Sequence, residues 1–155
     1  MVKTVIIGLG KMGISHCSIL GAHPDVDMAA MCDTDSLLQS AFRKMTRIAC
    51  YTDYKKMIDE VKPDAVFVVT PTKMHYEMVM YALEHGCHVF CEKPFCLTPG
   101  EGEKMVALAK AKGLVNQVGY HNRFIGTFNE MKRLLASGIT VSYTHLRAHE
   151  TDSYL

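Results

Sequence analysis

The segment VIIGLGKMGISH, Val5 to His16, limits what this chain can fold into more than any other. A β-branched apolar run breaks at Gly8, and Gly8, Gly10 and Gly13 follow in G-x-G-x-x-G spacing ahead of an amphipathic stretch. The three glycines have separable jobs between a strand and a helix. Gly8 allows the tight turn, Gly10 lets the backbone approach a pyrophosphate, and Gly13 lets the helix pack close to the sheet. The helix N-terminus then offers free N–H groups and partial positive charge to the phosphates. Gly8, Leu9, Gly10, Lys11, Met12 and Gly13 are therefore the candidate phosphate-binding residues. A tight βα turn with an empty crevice would use the same glycines.

The rest of the chain repeats the strand–helix alternation. Strands are expected at Val2–Ile7, Val26–Cys32, Ile48–Tyr51, Ala65–Val69, His88–Phe90 and Val115–Val118. Helices are expected at Lys11–Leu20, Ser36–Met45, Tyr54–Val61, Lys73–His85 and Pro99–Lys112, with Gly86 and Gly113 as glycine stops. AVFVV is a near-continuous apolar run of the kind that helices cover on both faces. Such alternation implies an α/β fold with a parallel, doubly wound sheet.

Lys+Arg 17 against Asp+Glu 16 leaves a net charge of +1 with no block of either sign, so neither nucleic acid nor an anionic membrane is an expected partner. No apolar run approaches the roughly eighteen residues of a spanning helix, and Met1 leads straight into a strand, so a cytoplasmic location is expected. His85, Cys87, His88 and Cys91 cluster locally, but across a helix end, a turn and a strand, which is not zinc-ligand spacing. The six cysteines read as structural thiols, and no metal is expected.

Two further positions bear on function. Asp33 closes the second strand twenty residues after Gly13, where a carboxylate accepts hydrogen bonds from ribose hydroxyls and repels a 2′-phosphate. No arginine follows it immediately, which favours NAD over NADP; Asp33 could instead be only the N-cap of the helix starting near Asp35. In VFCEKPF, Lys93 ends a short apolar strand and Pro94 stops the ladder. That is the carboxyl end of a central strand, where open α/β sheets bind ligands. A snorkelling surface lysine is the alternative.

With GLGKMG, Asp33, VVTPTKMHYE, CEKPF and VGYHNRF in this order, residues 1 to about 139 resemble the glucose–fructose oxidoreductase / inositol dehydrogenase (Gfo/Idh/MocA) family. The resemblance implies the N-terminal Rossmann domain of a two-domain NAD(P)-dependent oxidoreductase acting on a sugar, cyclitol or related secondary alcohol. It places Thr70 and Pro71 in the cofactor crevice, His75 near the cofactor, and Glu92 and Lys93 at the nicotinamide ribose, often with a cis Lys–Pro bond. Thr72 receives no contact, since many relatives have Asn there. Lys93 would also meet the substrate as acid/base residue and hydroxyl anchor, with His121 and Asn122 beside the substrate pocket. The α+β second domain, which supplies an Asp/His pair, is not in this chain, so the fragment is expected to be monomeric and inactive and the full-length protein a homo-oligomer. Alternatives are a reductase of a non-sugar substrate within the same family, or a non-catalytic NAD-sensing regulator. Retention of Glu92 and Lys93 argues against the regulator.

The final residues read TVSYTHLRAHETDSYL. His145 and His149, four apart, would suit a metal on a helix. One frame of a widely used transposase sequencing adapter, however, translates to Val-Ser-Tyr-Thr-His-Leu-Arg-Ala-His-Glu-Thr, which is the sequence of Val141 to Thr151. Residues 140–155 are thus expected to be a non-native read-through tail following a 1–139 domain, and the paired histidines to carry no meaning.

Overall fold

A computed structural model describes residues 1–139; the expected tail, 140–155, lies outside the described residues. The strands are β1 (Val2–Ile7), β2 (Val26–Cys32), β3 (Ala49–Tyr51), β4 (Ala65–Val68), β5 (His88–Cys91) and β6 (Asn116–Val118). The helices are α1 (Lys11–Gly21), α2 (Ser36–Thr46), α3 (Tyr54–Val61), α4 (His75–Glu84), α5 (Pro99–Ala111) and α6 (Gly126–Ala136). All six strands pair in parallel, in the order β3-β2-β1-β4-β5-β6. The order reverses at β1, the switch point at which such sheets open a crevice beyond the strand carboxyl ends.

Period-two alternation divides the apolar strand residues between two cores. Val5 and Ile7 join Val66, Val68, Val89 and the inner faces of α3, α4 and α5. Ile6 turns the other way, to Leu9, Cys17 of α1 and Met31. Both faces are covered, which is why β1 and β4 read as continuous apolar runs rather than alternating ones. Each fully buried aliphatic side chain here contributes about 1.5–3 kcal/mol.

Local chemistry sets the helix starts. Asp35 caps α2 by accepting from the Leu37 and Leu38 amides, and Asp53 caps α3 through Lys55 and Lys56. Thr98 and Glu101 form a reciprocal capping box at α5, with Pro99 in the first turn. Gly86 and Gly113 adopt the positive φ expected of them. Boundaries lie within two residues of the expected ones, and two of the differences have a local cause. The segment after β4 opens with a 3-10 turn, Thr72–Met74, in which the Pro71 carbonyl accepts the Met74 N–H, and α4 proper starts at His75. β5 extends through Cys91, because its small buried thiol packs like an aliphatic group between Val68 and Val118.

The chain divides into two compact units, Met1–Gly119 and a second beginning at Tyr120. The sheet belongs to the first. The described part of the second holds a 3-10 turn, His121–Phe124, and α6, on which Arg133 pairs with Glu130.

Candidate functional site

The turn after β1 is made by backbone. Gly8 has φ +98°, and its N–H donates to the Cys32 carbonyl at 2.8 Å. Any side chain there would overlap the Val69 carbonyl, and one at Gly13 would overlap the carbonyl of Gly8. Gly10 is the opposite case: a Cβ would meet nothing within 4 Å, so its surroundings are open. α1 starts directly behind it with no side-chain cap and no acidic residue in its first turn, so its partial positive charge is uncompensated. Lys11 and Met12 are exposed on this turn. Leu9 differs from them, with its side chain in the core and its N–H donating to Asp33 Oδ2 at 2.6 Å.

Asp33 therefore braces the glycine turn from the end of β2. Its Oδ1 accepts the Asp35 N–H at 2.9 Å. Asp35, not Asp33, caps α2, so the reading of Asp33 as merely that helix's cap is corrected. A carboxylate has about four acceptor positions, and Asp33 lines the cleft. The cleft encloses about 730 Å³ between the loops following β1, β2, β3 and β4. Gly8, Gly10, Asp33, Thr70 and Pro71 all line it, joined by Tyr54, Met74 and Met78. Sequence reasoning missed the last three. The Tyr54 hydroxyl donates to Glu77 at 2.8 Å, and burial followed by the Glu77 contact raises its pKa. The Asp-x-x start of α3 marks a helix, and no motif marks Tyr54 as a wall.

Glu92 and Lys93 follow β5, one strand beyond β4 at the same sheet edge. The Glu92 N–H donates to the Val68 carbonyl at 2.9 Å, carrying the ladder one residue past the strand. The Glu92 residue is 8% exposed. Its Oε1 lies 2.8 Å from His16 Nε2, and its Oε2 accepts the Lys93 N–H at 3.0 Å. Burial pushes the carboxyl upward, but the His16 and Lys93 N–H bonds and the charges of both residues outweigh it, so the pKa is lowered. Gly119 leaves room for this carboxylate: a Cβ there would lie 3.2 Å from Oε2. Lys93 itself is exposed, and its peptide bond to Pro94 is cis.

His75, expected near the cofactor, is buried at the start of α4. Its exposure is 0%; Nδ1 lies 3.0 Å from the Pro94 carbonyl and Nε2 2.8 Å from the Thr70 carbonyl. With one ring N–H it donates to one carbonyl and packs on the other; with two it donates to both. Either way it ties the loop after β4, where Thr70 lines the cleft, to the turn after β5. His121 and Asn122 lie in the 3-10 turn of the second unit. The clustered thiols are plain core groups, with burial, then Glu92 and Cys96, pushing Cys91 up to about 12. His88 Nδ1 accepts the Val115 N–H.

A 3-2-1-4-5-6 parallel sheet, a glycine turn after its first strand and a carboxylate closing the second together define the dinucleotide-binding class of doubly wound domains. Comparison with known proteins narrows this. The chain belongs to the Gfo/Idh/MocA oxidoreductase family with an NAD-binding Rossmann fold, whose model matches residues 2–120. It is 33% identical over 139 residues to the D-glucoside 3-dehydrogenase of Escherichia coli K12, covering 88% of this chain and 40% of that protein. Among solved structures it resembles myo-inositol 2-dehydrogenase from Lactobacillus plantarum (TM-score 0.82, 32% identity, 91% of this chain and 42% of that one). It is similarly close to scyllo-inositol dehydrogenase from Lactobacillus casei with bound NAD(H) and scyllo-inositol (TM-score 0.82, 26% identity, 92% and 43%). The chain thus spans about 40% of the length of the curated relatives it matches. No helix among the described residues is long and apolar enough to cross a membrane.

Proposed function

We propose that this chain is the cofactor-binding half of an NAD-dependent dehydrogenase that oxidises a secondary hydroxyl of a sugar or cyclitol, or reduces the corresponding ketone. The observation that carries this reading is the row of loops after β1, β4 and β5 at one sheet edge, with the glycine turn at one end and Lys93 at the other. The residues fit the cofactor: open space at Gly10, an uncapped helix start behind it, and a carboxylate at the far wall. Gly10, Lys11 and Met12 hold the pyrophosphate, Asp33 the adenosine ribose, and Thr70 and Pro71 the wall between the two halves. The nicotinamide, when bound, accepts or supplies the hydride.

Lys93 then faces the reacting hydroxyl. Its amine removes the hydroxyl proton as hydride leaves carbon, and returns it in the reverse direction. Glu92 carries the lysine backbone and borders the nicotinamide ribose. His121 and Asn122 contribute to the substrate side, and a further domain completes the pocket and the oligomer. Relatives named as a D-glucoside 3-dehydrogenase and a myo-inositol 2-dehydrogenase support the polyol class. Calorimetric titration of the chain with NADH and NADPH tests the cofactor assignment. NADH is expected to bind at least tenfold more tightly, because Asp33 meets a 2′-phosphate with like charge. Equal or tighter NADPH binding would overturn it.

A further inference from the structure

We propose that His16 is a positioning residue for Lys93, acting through Glu92; this rests on the acid/base reading of Lys93 and extends it to a second helix. His16 and Glu92 are 76 residues apart in sequence, and nothing in the sequence motifs connects them. The fold brings them together through Gly13. Without a side chain, Gly13 lets α1 settle against the β1 turn, and one helical turn later His16 flanks the buried Cys17 at the sheet surface. Two aromatic rings then aim the imidazole. Phe67 of β4 and Phe90 of β5 stack at 4.9 Å, and the His16 ring meets Phe90 edge-on at 5.1 Å and Phe67 at 6.1 Å. Held this way, Nε2 reaches Glu92 Oε1 at 2.8 Å.

A decorative surface ion pair would look different. The Glu92 side chain is 10% exposed and that of His16 19%. A carboxylate so enclosed is costly to leave without partners. The charged and titratable groups around it are His16 from α1, Lys93 on its own turn and Cys91 of β5. One carboxylate oxygen is fixed by His16; the other fixes the Lys93 amide. Glu92 is therefore a two-ended strut from α1 to the backbone of the proposed acid/base residue. His75 holds the Pro94 carbonyl from α4, on the other face of the sheet. The turn carrying Lys93 is thus held from both sides, and the α1 side depends on a single side chain.

Amide hydrogen exchange in the full 155-residue chain reads this directly. His16→Phe keeps the aromatic packing and removes the donor to Glu92; His16→Gln keeps a donor. In His16→Phe the Lys93 amide is expected to exchange at least about tenfold faster. The Glu92 and Gly119 amides, bonded to Val68 and Cys91, are expected to stay within about twofold, and His16→Gln to restore Lys93 protection. Unchanged Lys93 exchange, or equal acceleration of all three amides, overturns the proposal. A second measurement needs no variant: the carboxyl carbon signal of Glu92 in the unmodified chain is expected to titrate below the ordinary glutamate range. Titration at or above that range overturns the proposal even if the variants do not fold. The acid/base reading fails separately, through retained turnover of Lys93→Met, which leaves the exchange result standing.

Discussion

The two ends of the cleft edge are built by different means. At β1 the site is made of backbone, with Gly8 and Gly13 fitting where any Cβ would collide and Gly10 bordering open space. At β5 it is made of side chains, with Glu92 strutted by His16 from one helix and Pro94 held by His75 from another. The first end is specified within a dozen consecutive residues. The second needs contacts 76 and 19 residues apart. A backbone site fails all at once when its glycines change, whereas a strutted site loses alignment while the fold persists.

The sharpest break in that contrast is Gly13→Val, which places a side chain on the Gly8 carbonyl. A loss of at least about 3 kcal/mol is expected in denaturant melts, with NADH binding abolished. Next comes Lys93→Met in the full-length enzyme. The catalytic constant is expected to fall by about 10²–10⁴, the usual weight of a positioned acid/base group, with NADH affinity changing less than about tenfold.

Glu92→Gln sharpens the comparison through pH. The folded-state pKa of Glu92 is depressed, so its contribution to stability is present above the unfolded carboxyl value and is lost as pH falls through the folded one. The variant is expected to be less stable than the parent by about 1 kcal/mol near neutral pH. That gap should close as pH drops below about 4.3, the reference glutamate value, in paired thermal melts. A gap that persists at low pH would mean that packing, not the charged hydrogen bonds, sets the effect. The smallest effect is expected from deleting residues 140–155. If they are foreign to the domain, the melting temperature moves by less than about 2 °C, the range of a neutral surface change.

The same contrast explains what the sequence revealed. Sheet class, strand positions and the glycine turn are legible because period-two apolar runs and G-x-G-x-x-G are short-range patterns. Asp33 is legible as a position, but its bond to the Leu9 amide is not, since that couples β2 to β1 across 24 residues. Tyr54 and His16 were missed because each reads as an ordinary residue near the start of a helix, and only the sheet order gives it a neighbour. The resemblance placed His75 near the cofactor; its contacts to the Thr70 and Pro94 carbonyls were not legible, because only the fold brings the turn after β5 to the start of α4.

Backbone spectra of the isotopically labelled chain during NADH titration test the central claim most directly. The amides of Gly10, Met12 and Asp33 are expected to shift together with those of Glu92 and Lys93, all fitting one dissociation constant. Saturating NADH that moves the glycine turn while Glu92 and Lys93 stay still would show that the lysine does not share the cofactor cleft.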